Sequence, residues 1–175
     1  AKNTQLIDGA ATVSELFLKR VIELGDKVAL REKDFGIWNE YSWSDWGDFA
    51  KWVGLGLTSL GFSRGDVCSI ASEVNKEWMF ADLGVITMGG VTNGVYPTDA
   101  PNQVEYLITD SGTRFYFAED EEQLDKVLEV RERTPTLEKI IIFDNSNDIT
   151  TKKKVNKIYP KIKFILSKKN LGYGK

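Results

Sequence analysis

The sequence contains no histidine and only one cysteine, Cys68, in 175 residues. Within this chain, that excludes a Ser–His–Asp triad, a zinc site built on imidazole, a His-ligated haem and an internal disulfide. A single thiol suits a reducing compartment, and the opening AKNTQ has no signal-peptide apolar core, so a cytoplasmic location is expected. No apolar run approaches the roughly 18 residues that cross a bilayer as a helix, so no transmembrane anchor is expected. With 42% hydrophobic and 28% charged residues and only four prolines, the composition is that of a globular chain, neither disordered throughout nor collagenous. A length near the roughly 150 residues of an average domain predicts one compact unit.

The net charge of −3 conceals a division. Residues 151–175 hold nine lysines and no acid, a charge of +9, which leaves 14 basic against 26 acidic residues in 1–150, a net of −12. An acidic body does not present the clustered Lys and Arg of a general nucleic-acid surface, and no nucleic-acid partner is expected of it. The chain is therefore read as a body, 1–144, and a lysine-rich tail, 145–175.

Capping signals and periodicity divide the body into elements. Thr12 and Glu15 read as a capping box ahead of Leu16, Phe17, Val21, Ile22 and Leu24, a first helix stopped by Gly25. Lys27 to Arg31, the turn Asp34-Phe35-Gly36 and Ile37 to Trp43 read as a β-hairpin. Ser42 and Asp45 begin a second helix, whose stripe is Trp43, Trp46, Phe49, Ala50, Val53, Leu57 and Leu60. From Arg64 strands and helices alternate: strands at 67–71, 91–96, 114–118 and 138–143, helices at 75–88, 101–110 and 121–133. Four strands separated by three helices imply right-handed crossovers and a parallel sheet covered on both faces, an α/β fold. In the tail, 161–167 reads weakly as a further strand.

Few side chains form a recognisable chemical pattern. Gly61-Phe62-Ser63-Arg64-Gly65, Gly89-Gly90 and Ser111-Gly112-Thr113 match neither the G-x-x-x-x-G-K-[ST] nor the G-x-G-x-x-G phosphate loop, and read as caps and turns. Gly54-Leu55-Gly56 lies in a helical stripe, where close helix packing explains it. Glu119-Asp120-Glu121-Glu122 reads as a helix start, the acids complementing the positive end of the helix dipole and facing water. Cys68, between Val67 and Ile70, reads as a small core residue. Core packing is also the expectation for the five tryptophans. The loop from Gly94 to Pro101 lies at the carboxyl end of a parallel strand, where open α/β sheets bind their ligands.

Taken together, the stretches GDKVALREKDFGIWNEYSWSDW, AKWVGLGLTSLGFSRGDVCSIASEVNKEWMFADLGVITMGGVTNGVYPTDAPNQVEYLITDSG and TRFYFAEDEEQLDKVLEVRERTPTLEKIIIFD resemble the N-terminal portion of the AMP-forming acyl-CoA synthetase superfamily, in its bacterial long-chain fatty acyl-CoA ligase branch. The resemblance covers residues 12 to about 144. It implies a Rossmann-like subdomain of the adenylate-forming fold, and a full enzyme that uses ATP and Mg to turn a long-chain fatty acid into an acyl-adenylate, releasing pyrophosphate, and then into a thioester of coenzyme A. Within the matched loop, Tyr96, Pro97 and Thr98 are implied to border the substrate region. The family's phosphate-binding signature, [ST]-[ST]-G-[ST]-T-G-x-P-K-G, is not in this sequence, nor are the later adenine, ribose and magnesium motifs. No catalytic, cofactor-binding or metal residue is therefore carried over, and no cofactor is expected on these residues alone.

The expected function is that of an N-terminal piece of such a ligase, inactive by itself. The alternative is a stand-alone acyl-ligand-binding or interaction module whose basic tail contacts nucleic acid or an anionic membrane. The tail itself remains open among a truncated gene product, a frame-shifted end and a true basic arm, the last allowing peripheral membrane contact.

Overall fold

The computed structural model describes residues 6–142; the lysine-rich tail and its strand reading lie outside them. The first helix, α1 (Val13–Leu24), starts at Thr12, whose hydroxyl accepts the Glu15 N–H, while the Glu15 carboxylate accepts the N–H of Ala11 rather than that of Thr12. The box is thus closed one residue early. Strands β1 (Val28–Asp34) and β2 (Ile37–Ser42) pair antiparallel around a two-residue turn in which Phe35 and Gly36 both take positive φ, 45° and 84°. Two successive left-handed residues make the turn that suits the twist of a hairpin. Helix α2 (Trp43–Ser59) begins with a complete capping box between Ser42 and Asp45.

The alternating part follows: β3 (Val67–Ala71), α3 (Lys76–Thr87), β4 (Val91–Val95), α4 (Pro101–Ser111), β5 (Phe115–Ala118), α5 (Glu121–Val130), a turn of 3₁₀ helix at Arg131–Arg133, and β6 (Lys139–Ile142). The four strands form one parallel sheet in the order β4-β3-β5-β6. The two helix faces follow from the pleat of β5. Tyr116 and Ala118 lie with Ala71 and Val95 under Val104 and Ile108 of α4 and Leu124, Val127 and Val130 of α5. Phe115 lies with Cys68 on the opposite face, under Leu57 of α2 and Val85 of α3, and its ring meets Phe62 edge-on at 5.2 Å. Each such side chain, fully buried, contributes roughly 1.5–3 kcal/mol.

A third cluster, Phe17, Trp46, Ala50, Phe80 and Leu83, joins α1, α2 and α3 and takes in Ala29, Leu30 and Tyr41 of the hairpin. Here α2 and α3 touch backbone to backbone. A Cβ on Gly54 would meet Met88 at 2.7 Å, and one on Gly84 would meet Val53 at 2.7 Å and the Ala50 carbonyl at 3.0 Å. Gly56, by contrast, has open space beside it, so only one of the two glycines in Gly54-Leu55-Gly56 is required by packing. The tryptophans divide likewise. Trp46 is buried and its indole N–H donates to the Met79 carbonyl, whereas Trp38 and Trp52 are 61% and 55% exposed, so core packing does not account for them. Among the described residues, no helix is long and apolar enough to cross a membrane.

Candidate functional site at the carboxyl end of the sheet

The strand order has one reversal. Chain leaving β3 travels to β4 on one side, and chain leaving β5 travels to β6 on the other, so the loops after these adjacent strands diverge. In an open α/β sheet that divergence opens the crevice where ligands bind. Three loops border this end: 72–75 after β3, 96–100 after β4, and 119–120 after β5.

Glu119 closes the divergence. Its carboxylate accepts the Glu73 N–H at 2.7 Å and the Asn75 Nδ2 at 2.8 Å, while its own N–H donates to the Ala71 carbonyl at 3.1 Å. Asn75 also caps α3, its Oδ1 accepting the Trp78 N–H at 2.8 Å. One acid thus spans the gap between the β3 and β5 loops. The rest of the acidic run behaves as a helix start: Asp120 caps α5 by accepting the Gln123 N–H, and Glu122 pairs with Lys126 one turn on. Glu119 is therefore separated from its three neighbours by position alone. Its place directly after Ala118, the last residue of an apolar strand, sets it apart only once β3 is seen to lie beside β5.

The loop after β4 is held from below. The carbonyl of Pro97 accepts hydrogen bonds from Lys126 Nζ and, at 3.3 Å, from Gln123 Nε2, both on α5. Asp99 turns back to accept the Tyr96 N–H at 3.0 Å, and Gln103 accepts that of Ala100. Tyr96 is 76% exposed and Thr98 is exposed, while Pro97 is half-buried. Tyr96 lines an open groove of about 410 Å³ with Gly94, Asp99, Asn102, Gln103, Tyr106 and Leu107; Pro97 and Thr98 do not line it. On the sheet side of the loop, Tyr116 is fully buried with no partner for its hydroxyl, and burial, with Asp99 adding to it, pushes the phenol well up from its ordinary range. It is a neutral wall there.

The opposite end of the sheet is locked. The Arg114 guanidinium binds Asp66 ahead of β3 and, through two bonds of 2.8 and 2.9 Å, Glu138 ahead of β6, which holds the Glu138 carboxyl below its usual range. Above it, the hydroxyls of Ser69, Ser111 and Thr113 form a chain of bonds at 2.6 and 2.7 Å, and Asn93 Nδ2 donates to Ser69 at 3.0 Å. The stretch Ser111-Gly112-Thr113 is thus part of a buried polar seam, with Gly112 as the left-handed helix terminator.

Between the hairpin and α3, Lys76 is buried against Tyr41 and paired with Glu32 and Glu77. Burial works to lower its pKa, but the hydrogen bonds it donates to the two carboxylates prevail and raise it. The Cys68 thiol is fully buried, and burial alone drives its pKa upward, leaving it a packing residue. Among the described residues, no three His, Cys, Asp or Glu side chains converge as metal ligands. Gly61 and Gly65, both at positive φ, turn the chain ahead of β3, at the end of the sheet away from the crevice.

Comparison with known proteins agrees with this geometry. The family described as AMP-binding enzyme matches residues 17–167, 23 residues beyond Asp144 and into the lysine-rich segment. The Homo sapiens long-chain-fatty-acid–CoA ligase ACSBG1 is 26% identical over 132 residues, 75% of this chain and 18% of its own length. A Xenopus laevis long-chain-fatty-acid–CoA ligase is 30% identical over the same shares. A Mycobacterium bovis one is 29% identical over 61% of this chain and 18% of its own. The chain thus spans about a fifth of the length of these curated relatives, and identity does not favour the bacterial branch over the vertebrate one. Among solved structures, the anthranilate CoA ligase AuaEII in complex with anthranoyl-AMP superposes with a TM-score of 0.68 at 22% identity, over 74% of this chain and 24% of that one. The Mycobacterium tuberculosis fatty acyl CoA synthetase gives 0.64 at 16%, over 75% and 26%. A four-stranded parallel sheet of this fold, with a family match across most of the sequence, places the chain plainly: it belongs to the AMP-binding enzymes and corresponds to the N-terminal portion of the AMP-forming acyl-CoA synthetases.

Proposed function

We propose that these residues form the N-terminal α/β subdomain of an ATP-dependent ligase that joins a long-chain fatty acid to coenzyme A through an acyl-adenylate, and that they supply scaffold and substrate wall rather than the reacting groups. The observation that carries this reading is the family match over 17–167 together with the relatives' names, all long-chain-fatty-acid–CoA ligases. Supporting it, the carboxyl end of the sheet presents a shaped, hydrogen-bonded rim. Of the acids there, Glu119 has its carboxylate engaged by Asn75 and a backbone N–H. In this proposal ATP, Mg and coenzyme A are held outside the described residues. The part played by this chain is to hold Tyr96, Pro97 and Thr98 against the substrate region, the Pro97 carbonyl being tied down by Lys126 and Gln123 so that Tyr96 faces the groove.

The reading is tested with the purified chain, ATP, magnesium, a long-chain fatty acid and coenzyme A, measuring pyrophosphate. The expected result is no release above a protein-free blank. Sustained turnover would show that the reacting groups are present after all. Saturable calorimetric binding of fatty acid or acyl-CoA without turnover would instead support a stand-alone acyl-binding module.

A further inference from the structure

Asn-Gly is a dipeptide that favours a two-residue hairpin turn, because both residues accept positive φ. Asn93-Gly94, the one Asn-Gly in the sequence, stands instead inside β4, paired with β3 without interruption from Val91 to Val95. Its glycine brings backbone freedom and no side chain to pack, which weakens a strand interior. What holds this dipeptide in an extended strand is the hydroxyl seam, which Asn93 enters through its side-chain amide.

The seam has a fixed direction, because each hydroxyl has one proton to give. The Leu107 carbonyl, which can only accept, takes that of Ser111 at 2.6 Å. The 2.7 Å bond between Ser111 and Thr113 must then use the Thr113 proton, and the 2.6 Å bond between Thr113 and Ser69 the Ser69 proton. Ser69 is left able only to accept. The donor facing it is Asn93 Nδ2 at 3.0 Å, with Ser111 Oγ a second, longer acceptor of the same amide at 3.4 Å. Position 93 therefore has to supply an N–H. A carboxylate in this half-buried place would face the lone pairs of Ser69, and could be served only by turning every hydroxyl of the chain around.

We propose that Asn93-Gly94 is a deamidation site kept shut by the hydroxyl seam, and that its conversion unlatches β4 irreversibly. In the extended strand the Gly94 nitrogen points away from the Asn93 side chain, and the bonds to Ser69 and Ser111 hold the amide in place. When the seam opens, the Gly94 nitrogen attacks Asn93 Cγ. The N–Cγ bond forms, the Cγ–Nδ2 bond breaks, and Nδ2 leaves as ammonia with the Gly94 amide proton. Glycine hinders this attack least, having no Cβ. Water then opens the succinimide at one carbonyl or the other, giving aspartate or isoaspartate. Neither product carries the amide donor, so the seam does not re-form and β4 loses its side-chain tie to β3 and to the end of α4. Because β4 runs directly into the loop at Tyr96, one end of that loop is loosened as well.

The experiment is incubation of the whole 175-residue chain at mildly alkaline pH, with peptide mass mapping of aspartate and isoaspartate at position 93. Conversion should be slow in the folded chain and at least roughly tenfold faster in denaturing urea, since it proceeds only through opened molecules. Ser69→Ala, checked for folding by circular dichroism, should convert several-fold faster than the parent without urea and at the parent's rate in urea. Should that variant not fold, the parent in sub-denaturing urea gives the same comparison: conversion should rise in step with amide exchange in β4. Asn93→Asp, the product made directly, should unfold at lower denaturant than the parent. Equal rates in the folded and unfolded chain overturn the proposal, as does no conversion in urea. So does a folded Ser69→Ala that keeps the parent's rate, conversion that ignores the opening of β4, or an Asn93→Asp variant as stable as the parent.

Discussion

The two ends of the parallel sheet use polar groups for opposite purposes. At the amino end, Arg114, Asp66 and Glu138 tie the entries of β3, β5 and β6 together, and the buried hydroxyls of Ser69 and Thr113, with half-buried Ser111 and Asn93, bind β4 to β3 and to the end of α4. At the carboxyl end, Glu119 and Asn75 span the diverging loops near the surface, and the half-buried Lys126 and the buried Gln123 hold one carbonyl of the loop after β4. A buried polar seam costs a great deal to break because its members lose solvent as well as partners. A surface brace costs little, because water replaces what is removed. The first end sets stability, and the second sets the shape of a rim.

That contrast can be broken or sharpened by substitution. The largest loss should follow Thr113→Val, which keeps the volume but strips the fully buried Ser69 and the half-buried Ser111 of a shared partner. About 2 kcal/mol is expected in denaturant unfolding, and a loss below a few tenths would show that the seam does not carry the amino end. Arg114→Met should act through pH. Because the Arg114 bonds depress the folded-state pKa of Glu138, their contribution is present above the unfolded carboxylate pKa, about 4, and lost as pH falls through the folded value. The variant's stability should therefore fall less on acidification than that of the parent, which an unfolding series from neutral to acid pH measures.

At the carboxyl end the effects should shrink in stability and grow in local motion. Lys126→Ala removes a half-buried amine from the Pro97 carbonyl and should cost about 1 kcal/mol, while raising amide exchange across 96–100 roughly tenfold. If exchange there is unchanged, the lysine does not hold the loop. Glu119→Gln keeps the shape and one acceptor, so global stability should move by less than about 0.5 kcal/mol. The Glu73 amide should nonetheless exchange several-fold faster, and a global loss as large as that of Thr113→Val would erase the distinction between the two ends.

Much of the fold was legible because its signals are local. Alternating apolar strands and capped helices require only neighbours in sequence to specify a parallel α/β unit, and the helix starts at Thr12, Ser42, Asn75 and Asp120 were marked by residue type. Where the reading fell short, the missing information was a distant partner. Gly54 and Gly56 look alike in sequence, yet only Gly54 has Met88 and Gly84 against it. Trp46 and Trp52 share one helix, but the first finds Met79 and Phe17 while the second faces outward. Glu119 could not be told from Asp120, Glu121 and Glu122 until β3 was known to lie beside β5, which brings Glu73 and Asn75 to its carboxylate.

The sequence by itself determined the elements, the α/β class, the family resemblance and the absence of imidazole, since each depends on residue type and spacing along the chain. Only the tertiary structure decided the order β4-β3-β5-β6 among the described residues, and with it the crevice between β3 and β5. The physical reason is that crossover handedness sets which face each helix takes, while the place each strand occupies is chosen by long-range side-chain complementarity. That complementarity, in the seam that holds Asn93 to Ser69 and the clamp that holds Arg114 to Asp66 and Glu138, joins residues 24 to 48 positions apart, beyond the reach of any local pattern.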